Sequence, residues 1–363
     1  MRKMPAKRVN ILRSLLTKLR RMSVTRWILT ALSFAMMFGA SAWVVTANWP
    51  PGGMPMLAWT AHAAALAALC IEVTTRTLKI QASAIAVGLP LRFGTAMRVC
   101  LGGDFAAAIT PARAGAEPAR FLILAESGMP TSGRVLVLFL ELFLEMVSLA
   151  LVCAVLAWSF YGHGASVRGL LALVGGYSTA VLGVGAIGLM LARRNAHGPP
   201  PLWAGRVGLH AGRWRGIQRT LRQLHTSAHA VRHAELRYMV AALVGSIVHV
   251  LCKVAALPLL VFLSDRTMAL TMDTLAPLVL WPLALFYGGV VVPAPGGGGF
   301  IEGAFALTLK SAIPAGIFAA TLVWWRFYTF YLYIIVGGLA AGDAAMRAIR
   351  RRDVTPSSPH GHA

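Results

Sequence analysis

With 363 residues, 57% of them hydrophobic and only 13% charged, the chain is too apolar for a soluble enzyme of its length. The composition points instead to an all-α polytopic membrane protein, and the lack of alternating ten-residue strands excludes an outer-membrane barrel. The formal charge of +22 sits mostly in segments flanking apolar runs, a pattern that reports topology and anionic inner-leaflet lipids rather than a nucleic-acid partner.

Residues 1–26 hold nine Lys or Arg and no acid, so this end is expected in the cytoplasm. Ile11, Leu12, Leu15, Leu16, Leu19 and Met22 recur at helical spacing, as in a basic amphipathic helix on a membrane surface. The first apolar run, about Trp27 to Ala47, is too long for a signal-peptide core. A second span is expected from Met56 to Thr74, with Arg76, Lys79, Arg92 and Arg98 in an inner loop after it.

Next comes a helix interrupted by Thr110-Pro111-Ala112-Arg113-Ala114-Gly115-Ala116-Glu117-Pro118-Ala119-Arg120. The unit, about 95–127, has halves shorter than a full span, so a re-entrant helical hairpin fits better than a crossing. Spans follow at about Val135–Trp158 and Gly169–Ala192. The loop 193–237 carries nine Arg against one acid, Glu235, and is expected in the cytoplasm. Its stripe of Trp214, Ile217, Leu221, Leu224, Ala228 and Val231 is a second interfacial helix candidate.

After a span from Met239 to Leu263 and an outer loop at Ser264-Asp265-Arg266, a second broken unit occupies about 274–312. It contains Pro293-Ala294-Pro295-Gly296-Gly297-Gly298-Gly299-Phe300-Ile301-Glu302-Gly303, like the first in its Pro-Gly break and following acid. Short helices are expected at Phe121–Ala125 and Phe305–Leu309. A last span, Gly316 to Ala341, leads to a basic, polar tail at 346–363. Counting both broken units as hairpins leaves about six full spans among eight apolar segments and puts both termini in the cytoplasm. The hairpins then enter from opposite leaflets, as in an inverted repeat around a midplane site. The expected transmembrane domain is 27–345, with repeat units at about 95–158 and 274–341.

These motifs resemble the flippase-like transmembrane region of lysylphosphatidylglycerol synthases and their stand-alone relatives, over about 25–345. The resemblance rests on Pro111-x-Arg113-x-Gly115 with Glu117 and Arg120, and on Glu141 and Glu145. In the second half it rests on Pro293-x-Pro295-Gly296-Gly297-x-Gly299 with Glu302, and on Trp325-Arg326 with Thr329 and Tyr331. It implies a protein that moves, or helps to move, a lipid between leaflets of the bacterial inner membrane. Leu142 stands where the family usually has Arg, and Glu145 where it commonly has Asp, which leaves open the base that neutralises this acidic face. No synthase-like domain follows the spans, so aminoacyl transfer is not expected.

Charges at membrane depth are costly and therefore candidates for function. Glu141 and Glu145 lie one helical turn apart, as do His249 and Lys253, and Arg326 is mid-span. Internal ion pairing and a polar path for a headgroup are both open readings, and the glutamates are expected within reach of Lys253 or Arg326. Gly296, Gly297 and Gly299 make either a flexible corner or a helix start whose free N–H groups face an anion. Arg113 and Arg120 either reach the inner headgroups or bind substrate. His62 reads as structural.

Cys70, Cys100, Cys153 and Cys252 read as small core residues. No Walker motif, metal-ligand set or nucleophile–base pair appears, so no cofactor is expected. The leading function is translocation of a membrane phospholipid or lipid-linked headgroup. The alternatives are an accessory subunit or enzyme of lipid, glycolipid or isoprenoid biosynthesis, or a scaffold for a partner synthase; a homodimer is also open.

Overall fold

The computed structural model describes residues 24–53, 55–160, 165–195, 234–288 and 294–340, together with isolated positions 214, 218, 219, 222 and 292. The expected helix in residues 1–26 falls largely outside this set, as do most of the stripe from Trp214 to Val231 and the tail at 346–363. Within the set all regular structure is helical, apart from one isolated bridge described below.

Helix α1 spans Val24–Ala47 and α2 spans Trp59–Ala86. The sequence had suggested a span ending at Thr74 followed by a basic loop. Instead α2 continues for 28 residues, because no glycine or proline interrupts the run until Gly88, whose φ is +74°. At about 1.5 Å per residue the helix is roughly 42 Å long. Arg76 and Lys79 therefore lie inside the bundle, buried rather than in a loop.

The first broken unit consists of α3 (Phe93–Ile109) and α4 (Ala116–Glu126). Helices α5 (Thr131–Ser159), α6 (Ala165–Asn195) and α7 (Leu236–Ser264) follow. The second broken unit is α8 (Met272–Gly288) and α9 (Phe300–Leu309). Finally α10 (Ala315–Arg326) passes through a π-helical turn, Phe327–Tyr331, and resumes as α-helix over 332–340. Among the described residues, three stretches are long and apolar enough to cross a membrane: Thr131–Ser159, Leu236–Ser264 and Phe318–Ala340.

Helices α2 and α7 pack along one another. Gly245 makes the approach close, since a Cβ there would sit 3.1 Å from the Thr75 carbonyl oxygen. Around this pair lie separate apolar cores. One gathers Leu257, Phe305, Phe318 and Trp325, with the Phe305 and Trp325 ring centroids 5.1 Å apart. Another joins α2 to α5 through Ile80, Val99, Leu124 and Val137. A third, with Leu149, Val174, Val254 and Leu283, ties α5 through α8. In the α7–α8 loop, Asp265 accepts hydrogen bonds from the Thr267 amide and hydroxyl at 3.0 and 2.6 Å, which hold its carboxyl below the usual range.

Candidate functional site: a cationic cavity where two helix breaks meet

The two breaks share a turn at their prolines but differ where the next helix starts, with φ of −78° at Gly115 and +77° at Gly299. In the first, Arg113 N–H donates to the Thr110 carbonyl and Ala114 N–H to the Pro111 carbonyl; in the second, Gly297 N–H donates to Ala294 and Gly298 N–H to Pro295. Each proline is followed by two residues at positive φ, 50° and 56° at Ala112 and Arg113, 58° and 67° at Gly296 and Gly297. Helices α4 and α9 then begin after Gly115 and Gly299 respectively, longer than the short helices expected. Glycine adopts this left-handed path without strain, whereas each L-residue there costs about 1–2 kcal/mol. The turns touch through an antiparallel bridge between Pro111 and Pro295. Equivalent residues thus pair with each other, as they do across a local two-fold axis.

Beside the junction lies a cavity of about 60 Å³ lined by Arg76, Asp104, Arg113, Lys253, Arg326 and the Gly296 turn, with Phe330 and Tyr333. That volume holds on the order of a few waters. Arg76 donates to Asp104, with Nη1 2.9 Å from Oδ1, and lies 3.4 Å from Glu72 on its own helix. Tyr333 donates to Glu72, and His249 Nδ1 stands 3.4 Å from the same carboxylate. Arg326 donates from Nε to Glu302 at 2.7 Å, with its guanidinium 4.4 Å above the Phe330 ring. The second Glu302 oxygen accepts from the Gly299 amide at 2.7 Å. Glu302 therefore occupies the start of its own helix. With Gly297, Gly298 and Ile301 N–H also bonded internally, most donors expected to be open are already engaged.

The other two cations differ. Among the described residues, neither Arg113 nor Lys253 has a carboxylate within ion-pair distance; Lys253 lies 4.7 Å over the Phe286 ring. Both side chains are half-buried, and a partly desolvated charge without a counter-charge is unfavourable, which favours an anion in this cavity.

The glutamates of α5 belong elsewhere. Lys79 Nζ is 2.8 Å from Glu145 Oε2 and 3.2 Å from Glu141 Oε1. Arg120 Nη1 reaches Glu141 at 3.1 Å and Glu117 at 3.2 Å. Neither expected partner reaches them: Lys253 lines the cavity, and Arg326 pairs with Glu302. Arg120 does not extend to a surface: Gly103 leaves room for it, since a Cβ there would lie 2.6 Å from its Nε. Of the residues singled out in sequence, Arg113, Lys253, Gly296 and Arg326 line one cavity and Glu302 backs it, with Gly297 and Gly299 in its turn. Glu117, Arg120, Glu141 and Glu145 form a separate cluster on α4 and α5.

Glu72, Arg76, Lys79, Asp104 and Tyr333 were missed. The i, i+4 pair Glu72–Arg76 in a run without a breaker was the available signal. His62, read as structural from the sequence, places Nδ1 3.1 Å from the Tyr328 hydroxyl. The four cysteines are free; Cys100 and Cys153 are buried, whereas Cys70 is exposed.

The profile of the family described as the lysylphosphatidylglycerol synthase TM region matches residues 12–337. The chain belongs to this family. No curated protein and no solved structure matches it. As a member of the lysylphosphatidylglycerol synthase TM region family, it is a membrane protein with a lipid-related role. The family's usual arginine after Glu141 is here Leu142, half exposed on the outer side of α5. Lys79 from α2 and Arg120 from α4 supply the positive charge in its place.

Proposed function

We propose that this protein translocates a phosphate-bearing lipid between the leaflets of a bacterial inner membrane, with the phosphate passing through the cavity at the junction of the two breaks. The observation that carries this reading is the pair of uncompensated cations, Arg113 and Lys253, facing a space whose other bases already have carboxylate partners. At about 60 Å³ the space is far below the roughly 300 Å³ of a pocket that encloses a whole ligand. It fits a headgroup phosphate in an occluded state, not an entire lipid.

The architecture that goes with this function is six full spans and two re-entrant hairpins, α3–α4 entering from the cytoplasm and α8–α9 from outside. The equivalent turns and their two-fold pairing support an inverted repeat. Both termini are then cytoplasmic.

The test is leaflet exchange of a labelled anionic phospholipid in proteoliposomes. Arg113→Ala and Lys253→Met should each slow exchange about ten- to a hundredfold, the loss expected when a charged hydrogen-bond donor is removed. Wild-type exchange in both variants would refute the reading. Glu126→Cys and Ser311→Cys, both at exposed positions, test the topology. Labelling of the two from the same side would overturn the opposed hairpins.

A further inference from the structure

We propose that the apolar groove between α1 and α10 is a lateral site for one ester-linked acyl chain of a glycerophospholipid whose phosphate is bound at Arg326. The proposal rests on the translocation reading above and names a second part of the substrate. The groove has a volume of about 320 Å³. It is lined by Phe38, Ala42 and Val45 from α1, by Leu322 and Val323 from α10, and by Arg326 with Glu302. Arg326 thus lines both the groove and the cationic cavity.

Two independent features point to this occupant. The first is charge: the one base lining the trough is a planar guanidinium, suited to two phosphate oxygens. Its present partner is the Glu302 carboxylate, a group of similar shape and charge. The second is Ser41. Its side chain lines the same groove, only 7% of the residue is exposed, and its hydroxyl has no hydrogen-bond partner. A buried donor without an acceptor calls for one. An ester carbonyl close to the phosphate meets that need, whereas a prenyl phosphate has no such acceptor.

The division of labour follows from the solvent. A hydrocarbon chain is as much at home in the bilayer as against Val45 or Leu322, so a groove adds little affinity for it. What the groove does is keep the chain in an apolar setting while the phosphate alone leaves the headgroup layer. The charge transfer is the costly part, and Arg326, Lys253 and Arg113 line its path. Turn and helix are held close here: a Cβ at Gly298 would collide with the Met37 side chain, and one at Gly299 would lie 2.9 Å from the Ala40 methyl.

The experiment uses the full chain in proteoliposomes and a phosphatidylglycerol carrying a diazirine on one acyl chain. Photolabelling should fall on residues 38–46 and 322–331, and unlabelled phosphatidylglycerol should compete better than a prenyl phosphate. In competition, the ester lipid should be preferred to its ether analogue by about fivefold, the worth of one hydrogen bond. Ser41→Ala should abolish that preference. Ala42→Trp, at an exposed position, should fill the groove and slow exchange about tenfold or more.

Labels outside the groove, or an unchanged ester preference in Ser41→Ala, would overturn the proposal, as would stronger competition by the prenyl phosphate. If Arg113→Ala blocks exchange while Ala42→Trp does not, the groove assignment falls and translocation stands. If neither variant alters exchange, both fall.

Discussion

The Lys79 ammonium lies 2.8 Å from the Glu145 carboxylate, at a lysine with no exposed surface. The two belong to α2 and α5, and the contact extends to Glu141, so one cation serves two acids on successive turns. Such a cluster locks helix register, because sliding α5 by one turn would exchange or abandon a partner.

Lys79→Met should therefore destabilise the protein by about 3–5 kcal/mol, the cost of leaving a buried charge without its partner. Thermal unfolding in detergent measures the loss. Adding Glu145→Gln should recover part of it, since Arg120 still serves Glu141. A double variant no more stable than Lys79→Met would show that the pair is not coupled.

At the first break, Ala112→Gly should be neutral or stabilising by up to about 1 kcal/mol. Relief of left-handed strain of about 1–2 kcal/mol outweighs the extra chain entropy of glycine, about 0.5–1 kcal/mol. Ala106→Gly, inside α3, is the control and should cost about 1 kcal/mol. Equal destabilisation by both would mean that Ala112 is not strained.

Much of this arrangement was legible in the sequence. The two Pro-Gly units and the helices that start after them follow from local pattern, because turn chemistry and helix starts are written in adjacent residues; the Arg326–Glu302 pair joins two different helices and does not. The partners of Glu141 and Glu145 were not. Lys79 was assigned to a loop because basic residues near an apolar run read as a cytoplasmic flank. Only the uninterrupted helix to Gly88 shows otherwise. Asp104 was hidden for a different reason: its partner Arg76 lies on another helix, and sequence spacing carries no sign of that meeting. The left-handed path at Ala112 and Arg113 was equally invisible, since neither residue favours it.

Two glycines should respond differently to a methyl group. At Gly298 the obstacle is the Met37 side chain, which can move; at Gly337 it includes the Leu101 carbonyl oxygen, which is fixed in α3. Gly337→Ala should cost about 1–3 kcal/mol as overpacking, and Gly298→Ala clearly less. Melting temperatures that rank the two the other way round would contradict the close contact between α3 and the last helix.

Arg326→Lys should impair lipid exchange nearly as much as Arg326→Ala. A lysine can contact Glu302 but cannot hold the fork that links it to the groove and cavity, nor stack as a plane on Phe330. Exchange rates in proteoliposomes decide this, at matched protein density. Full activity in Arg326→Lys would mean that charge alone matters at this position.

The π-helical turn at Phe327–Tyr331 is equivalent to a single residue inserted into an otherwise continuous helix. It sits between Arg326, which meets Glu302, and Tyr333, which meets Glu72. Removing one residue there would let the backbone close into a plain α-helix while the residues beyond keep their facing, because the wide turn is what absorbs the extra residue. Tyr333 would still meet Glu72 and Gly337 would still face α3. A deletion in the regular helix on either side would instead rotate everything beyond it by about 100°. In a collection of variants, single-residue deletions would therefore survive within 327–331 and be missing from the α-helical stretches beside it.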